Sequence, residues 1–106
     1  MLGVTPETLR AYGAVSAETA AVMAEGALRV GGSDLAISVT GIAGPGGGSD
    51  QKPVGTVFLA LARRDGATVT KHVKLSGDRE QIRTLAAYLA LRMVRRAVNG
   101  KSPAAD

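Results

Sequence analysis

Apolar residues recur at helical spacing in two long segments, and these predict helices on either side of a group of strands. The first segment covers about residues 16–29 and starts at a serine that is typical of a helix cap. The second starts at the cap Asp78, has Gln81 in the capping-box position and continues to about residue 98. A threonine-proline pair also predicts a short helix over residues 6–11.

Three short segments between the long helices predict strands. Residues 35–40 are apolar and rich in β-branched side chains, which is typical of a buried central strand. Residues 54–62 and 67–75 predict two further strands, and the pair Asp65-Gly66 between them is the preferred two-residue hairpin turn. The last two strands are therefore expected to run antiparallel, and the pattern as a whole predicts an α/β fold.

Composition excludes several classes of chemistry. The chain has 106 residues, no cysteine and one histidine, so it cannot form a disulfide framework, a thiolate zinc site or a multi-histidine metal centre. Its 45% hydrophobic content suits one small globular domain. No apolar run has the length of about 18 residues that a membrane span needs, and the first residues do not resemble a signal peptide. A cytoplasmic protein is predicted.

Positive charge is concentrated in the second part of the chain. Residues 63–106 contain 10 basic and 4 acidic side chains, whereas residues 1–62 contain 3 basic and 5 acidic ones. The basic part could attract an anion, but single-strand nucleic-acid binding also needs stacking aromatics, and this part offers only Tyr88. The sequence does not favour a nucleic-acid partner. A solvated, basic helix end is the alternative explanation.

A glycine-rich segment follows the first predicted strand, and its residues are the main candidates for a binding loop. Backbone N–H groups in such a segment can approach a phosphate or carboxylate closely. Two named phosphate motifs fail: Gly47-Gly48 stands where a P-loop needs Lys and Ser/Thr, and Ser49 stands where a dinucleotide fingerprint needs its third glycine. A connection without a ligand is the alternative. The candidate residues are Thr40, Gly41, Ile42, Ala43, Gly44, Pro45, Gly46 and Gly47.

Two further side chains are candidates for a chemical role. Arg79 lies in the first turn of the last helix, where the helix dipole favours anions, so it could hold a phosphate; an exposed arginine without a ligand is the alternative. His72 alternates with threonine and lysine on the polar side of its strand, which favours a solvated histidine over a catalytic base.

Four ordered blocks of the sequence together resemble the C-terminal domain of the competence/damage-inducible protein CinA. The resemblance covers about residues 2–98. The blocks are Gly13-Ala14-Val15-Ser16, Ser38 to Gly47, Lys52 to Val57 and Gly77-Asp78-Arg79-Glu80. Domains of this family that stand alone are nicotinamide-nucleotide amidohydrolases, which hydrolyse the carboxamide of nicotinamide mononucleotide and release ammonia.

The resemblance implies roles for the candidate residues. The loop from Thr40 to Gly47 would line the nucleotide pocket, and Arg79 would bind the phosphate. The family is thought to use a serine nucleophile helped by lysine and tyrosine, with no metal or cofactor. A non-catalytic nucleotide-binding or assembly module of a CinA-like protein is the alternative function.

The catalytic serine segment of the family, a Glu-Ser-Cys-Thr-Gly-Gly loop, has no match in this sequence. The chain is therefore expected to contain an N-terminally incomplete domain at residues 1–98, followed by a flexible tail at 99–106. The family fold is a three-layer α/β/α sandwich with a five-stranded mixed sheet, and the three strands predicted here would be its last three. Residues 35–40 would then have an unpaired edge, which favours a homo-oligomer.

Overall fold

The computed structural model describes residues 16–41 and 55–104, which form two helices and three strands. The elements, in chain order, are α1 (Ala17–Gly31), β1 (Leu35–Gly41), β2 (Thr56–Arg63), β3 (Gly66–Lys74) and α2 (Arg79–Val98). Each corresponds to an element predicted from the sequence, with bounds that differ by one or two residues. The short helix predicted at residues 6–11 lies outside the described residues.

The three strands form one sheet in the order β1-β2-β3, and both pairs are antiparallel. Central β2 is buried along most of its length, because it has a neighbour on each side and a helix on each face. The apolar run of β2 therefore reflects burial on both faces of a sheet.

One helix covers each face of the sheet, which confirms the three-layer α/β/α arrangement for this part of the chain. On one face, large aliphatic side chains of the sheet pack against Ile82, Ala86, Ala90 and Met93 of α2. On the other face, Ala60 and Ala62 of β2 pack against Ala20 and Ala24 of α1. Because the contacting residues of α1 and of β2 are all alanines, the α1 backbone can approach the sheet closely.

A buried hydroxyl fixes α1 on its side of the sheet. Ser38 in β1 donates a hydrogen bond from Oγ to the backbone carbonyl of Ala20 in α1. At the start of the same helix, Ser16 accepts a hydrogen bond from the backbone N–H of Thr19 at 3.1 Å, as predicted for a cap. Both serines are buried, and each serves the packing or termination of α1.

The hairpin between β2 and β3 is confirmed, but the prediction that Asp65-Gly66 forms its turn is wrong. Arg64 and Asp65 form the turn and Gly66 already belongs to β3, and no residue of this segment has positive φ. The register shifts between Leu61 and Arg63, so an irregularity next to the turn changes the geometry that the sequence rule assumes.

Arg64 holds this turn against the end of α1. Its Nη2 atom donates to the carbonyls of Gly32 and Ser33 at 2.9 and 3.0 Å, and its Nη1 atom lies 3.2 Å from Asp34 Oδ1. The backbone N–H of Arg64 also donates to the Asp34 carbonyl at 3.1 Å. These long-range contacts favour the turn at Arg64 and Asp65, which local sequence preference does not predict.

Both ends of α2 have recognisable caps. Asp78 accepts a hydrogen bond from the Gln81 N–H at 2.9 Å and its own N–H donates to Gln81 Oε1 at 2.8 Å, which confirms the predicted capping box. At the other end, Gly100 has φ +72° and the Lys101 N–H donates to the Arg96 carbonyl at 2.8 Å. This is a Schellman arrangement, in which a residue without Cβ adopts the left-handed conformation most easily.

Residues 99–104 turn back along the end of α2. Arg96 Nε donates to the Ser102 carbonyl at 2.6 Å, and Pro103 is buried. The flexibility predicted for residues 99–106 stays a prediction.

Among the described residues, β1 has a paired neighbour on one side only, and Val39 is exposed by 40%. The self-association predicted through this edge also stays a prediction. No helix in the described part of the chain has the length and hydropathy needed to cross a membrane.

Candidate phosphate-binding groove

A groove opens where the end of β1 meets the first turns of α2. It has a volume of about 260 Å³, with an apolar floor, two arginines at its rim and the last residue of β1 at its end. We call it the Arg79–Arg83 groove; its lining residues are Val39, Gly41, Val57, Arg79, Ile82, Arg83 and Ala86. A second cavity of about 610 Å³ is lined by the same two arginines together with Glu80, Thr84 and Ala87.

Gly41 lines the groove at a point where β1 lies tightly against β2. A Cβ atom at Gly41 would stand 2.9 Å from Val57 Cγ2 and 3.0 Å from the Thr56 carbonyl oxygen. Both distances are shorter than normal contact, so a side chain here would force β2 to shift. Gly41 ends β1 and lines the same groove as Arg79.

The two arginines share one side of α2. Arg79 and Arg83 are four residues apart, which puts their side chains on the same helical face, and both are exposed. Neither forms an ion pair with any residue in the described ranges 16–41 and 55–104. Their guanidinium groups are thus available to an anion that enters the groove.

The amino end of α2 contributes less positive potential to the groove than its position suggests. The Asp78 carboxylate already accepts a hydrogen bond from the Gln81 N–H, and Glu80 adds a second negative charge in the first turn. Carboxylates at this position offset the positive end of the helix dipole. Binding of an anion would therefore depend on the two arginines more than on the helix terminus, and the role expected for Arg79 stays a prediction.

The structure brings only part of the predicted site together. Gly41 and Arg79 line the same groove, whereas Thr40 pairs with Phe58 and lies on the α1 face of the sheet. Adjacent residues of a strand point to opposite faces, which explains the separation. The remaining loop candidates, Ile42, Ala43, Gly44, Pro45, Gly46 and Gly47, lie outside the described residues.

Sequence reasoning missed Arg83. Its position one helical turn after Arg79 was the signal that could have identified it, because side chains four residues apart meet on a helix surface. The apolar floor could not have been found in this way, since Val39, Val57 and Ile82 come from three different elements. Only their packing in the folded chain makes them neighbours.

The histidine lies on the opposite face of the sheet from this groove. His72 is exposed and stacks on Phe58, with ring centroids 4.4 Å apart and an interplanar angle of 11°. Thr68, on the same side of β3, donates a hydrogen bond to Glu25 Oε2 at 2.6 Å. This agrees with a histidine in a polar surface setting.

Comparison with known proteins gives the family. The family model described as CinA C-terminal domain matches residues 1–98. The chain belongs to the CinA C-terminal domain family. A CinA-like protein from Geobacter sulfurreducens is 57% identical over 96 residues, which are 91% of this chain and 23% of that protein. A CinA-like protein from Kosmotoga olearia is 53% identical over 97 residues, again 23% of its length.

Solved structures of CinA relatives have the same fold. The competence/damage inducible protein CihA from Agrobacterium tumefaciens matches with a TM-score of 0.88 and 47% identity, over 93% of this chain and 60% of that one. The competence damage-inducible protein A from Klebsiella pneumoniae matches with a TM-score of 0.85 and 40% identity, over 92% and 60%. The chain thus spans about a quarter of its curated relatives and 60% of these solved CinA chains.

Proposed function

We propose that this chain supplies the phosphate-binding part of a mononucleotide site, and that the complete site hydrolyses the carboxamide of nicotinamide mononucleotide. The observation that carries the proposal is the meeting of Gly41 and Arg79 in one groove. These residues belong to two separate blocks of the CinA-like sequence pattern. A strand end followed by a glycine-rich segment, with an arginine opposite, is well suited to holding a phosphate.

The size of the groove supports a partial site. Pockets that enclose a small molecule usually measure about 300–1,000 Å³, whereas the Arg79–Arg83 groove measures about 260 Å³. A groove of this size would hold only part of the nucleotide. The nicotinamide ring and its carboxamide would then contact other residues of the complete site.

The nucleophile is expected from outside these 106 residues. No serine, histidine or lysine lines the groove among the described residues, and the buried serines have structural tasks. Ser16 caps α1, and Ser38 donates to the Ala20 carbonyl. In the proposed reaction a serine hydroxyl attacks the carboxamide carbon, ammonia leaves, and water then hydrolyses the acyl-enzyme to nicotinate mononucleotide.

Ammonia release tests this proposal. We expect no release from nicotinamide mononucleotide by the 106-residue chain, and release by a version extended with the segment that carries the family's serine. Alanine at that serine in the extended version should abolish activity and leave binding of the mononucleotide intact. Release of ammonia by the short chain would contradict the proposed origin of the nucleophile.

A non-catalytic nucleotide-binding or assembly module is the second candidate. It is favoured by the same lack of a nucleophile among the described groove residues. Under this alternative, the extended version binds the mononucleotide through Arg79 but releases no ammonia. The two measurements together therefore separate an amidohydrolase from a binding module.

A further inference from the structure

The carboxyl-terminal half of α2 carries a second basic cavity, separate from the Arg79–Arg83 groove. It has a volume of about 580 Å³ and lies beside Arg92, Arg95, Arg96 and Lys101. Thirteen residues of helix separate Arg79 from Arg92, a distance of about 20 Å along the axis. One phosphate group cannot contact both regions, so this cavity needs its own explanation.

No aspartate or glutamate is among the described residues that line this cavity. The sequence from residue 81 to residue 105 contains no aspartate or glutamate. Within the described ranges, none of the four basic side chains forms an ion pair. Arginines at the end of a helix do offset its dipole, but that end carries only about half an elementary charge. Four positive charges exceed what the helix end requires.

The turn after α2 adds to this cluster in a defined way. Gly100 in its left-handed conformation reverses the chain, and the Lys101 N–H donates to the Arg96 carbonyl at 2.8 Å. Arg96 in turn donates from Nε to the Ser102 carbonyl at 2.6 Å. These bonds place a lysine from beyond the helix next to arginines that belong to it.

One wall of the cavity is apolar although it faces solvent. Tyr88 is exposed by 64% and Leu91 by 70%, and both line the cavity together with the basic residues. An exposed tyrosine ring beside arginines can stack on the flat face of a base. The cavity volume lies within the range of sites that enclose small molecules.

We propose that this cavity binds a nucleotide that carries two or more phosphates, with the phosphates on the arginines and Lys101 and the base against Tyr88. Several phosphates match the number of positive charges, because each guanidinium can form paired hydrogen bonds with one phosphate group. The aromatic wall distinguishes a nucleotide from inorganic polyphosphate, since only a nucleotide has a ring to stack. This site is independent of the proposed mononucleotide site at Arg79.

Titration calorimetry on the 106-residue chain with ATP and with tripolyphosphate tests the proposal. ATP should bind about tenfold more tightly than tripolyphosphate because of stacking. The double variant Arg92→Gln/Arg95→Gln should weaken both ligands by about tenfold or more. Tyr88→Ala should reduce ATP binding to the level of tripolyphosphate and leave tripolyphosphate binding unchanged. These side chains lie at the surface, and thermal denaturation checks that the variants fold.

A matched double variant controls for net charge. Arg29→Gln/Lys74→Gln removes two exposed positive charges elsewhere in the chain and should leave both affinities unchanged. Equal losses in the two double variants would overturn the proposal, as would a failure of both probes to bind. A single-stranded oligonucleotide that binds through Arg92 and Arg95 more tightly than ATP would also overturn it, because the ligand would then be a nucleic acid.

Discussion

The two ends of α2 both present arginines to solvent, but they differ in what lies beside them. Arg79 and Arg83 stand against the sheet, next to Gly41 and an apolar floor contributed by two strands. The cavity beside Arg92, Arg95 and Arg96 is lined, within the described part of the chain, by residues of α2 and of the turn after it. The two regions also differ in charge, because Asp78 and Glu80 lie at the amino end of the helix whereas no carboxylate of the described residues lines the other cavity. The amino end, in turn, adds close strand backbone to its positive charge.

The sharpest way to test this difference is to remove both groove arginines. Arg79→Gln/Arg83→Gln should weaken binding of nicotinamide mononucleotide by about 100-fold or more, because each hydrogen bond to a charged group contributes about 1.5–3 kcal/mol. Calorimetry on the extended version measures the change. The matched variant Arg92→Gln/Arg95→Gln should leave this affinity within about twofold. Similar losses in the two variants would mean that the two ends of α2 are equivalent for this ligand.

The role of the strand backbone is tested at Gly41. A Cβ atom there would meet Val57 Cγ2 at 2.9 Å and the Thr56 carbonyl oxygen at 3.0 Å, so Gly41→Ala should lower the free energy of unfolding by about 1–3 kcal/mol. Urea denaturation measures this loss. As a control, Gly31→Ala adds a Cβ near the end of α1 at an ordinary contact distance of 3.9 Å from Ser33 Oγ, and it should be neutral or stabilising by up to about 1 kcal/mol. Unchanged stability in Gly41→Ala would show that the strands are not tightly paired at the groove.

The smallest expected effect concerns the carboxylate that caps α2. Asp78→Ser keeps a cap side chain but removes a negative charge next to Arg79, so it should tighten mononucleotide binding about threefold and change stability by less than about 0.5 kcal/mol. Asp78→Ala should lower the free energy of unfolding by about 1 kcal/mol, since it removes the cap bond to Gln81. Asp65→Ser removes a charge in the distant hairpin and should leave binding unchanged. Weaker binding in Asp78→Ser would indicate that the carboxylate itself contacts the ligand.

Local sequence signals were sufficient for most of the fold. The cap at Asp78, its capping-box partner Gln81 and the alternation of Val69, Lys71 and Val73 each depend on residues close in the chain. Interactions over three or four residues, or along one strand, determine such features. The alternation of side chains along β1 likewise places Thr40 and Gly41 on opposite faces of the sheet.

Features that depend on residues distant in the chain could not be predicted from such local signals. The turn at Arg64 and Asp65 depends on hydrogen bonds from Arg64 to the carbonyls of Gly32 and Ser33, about thirty residues earlier. The need for glycine at position 41 comes from Val57, across the β1–β2 pair. Arg79 could be proposed from its place in a helix, whereas the floor beneath it required three elements to be assembled.

The most direct test of the account is an NMR titration of the ¹⁵N-labelled chain with nicotinamide mononucleotide. We expect the largest amide shifts at Gly41, Arg79 and Arg83, and little change at Asn99 and Lys101, because a single phosphate should prefer the arginines that stand beside the strand end. Shifts concentrated at Asn99 and Lys101, or no shifts at Gly41 and Arg79, would contradict the claim that the amino end of α2 holds the phosphate.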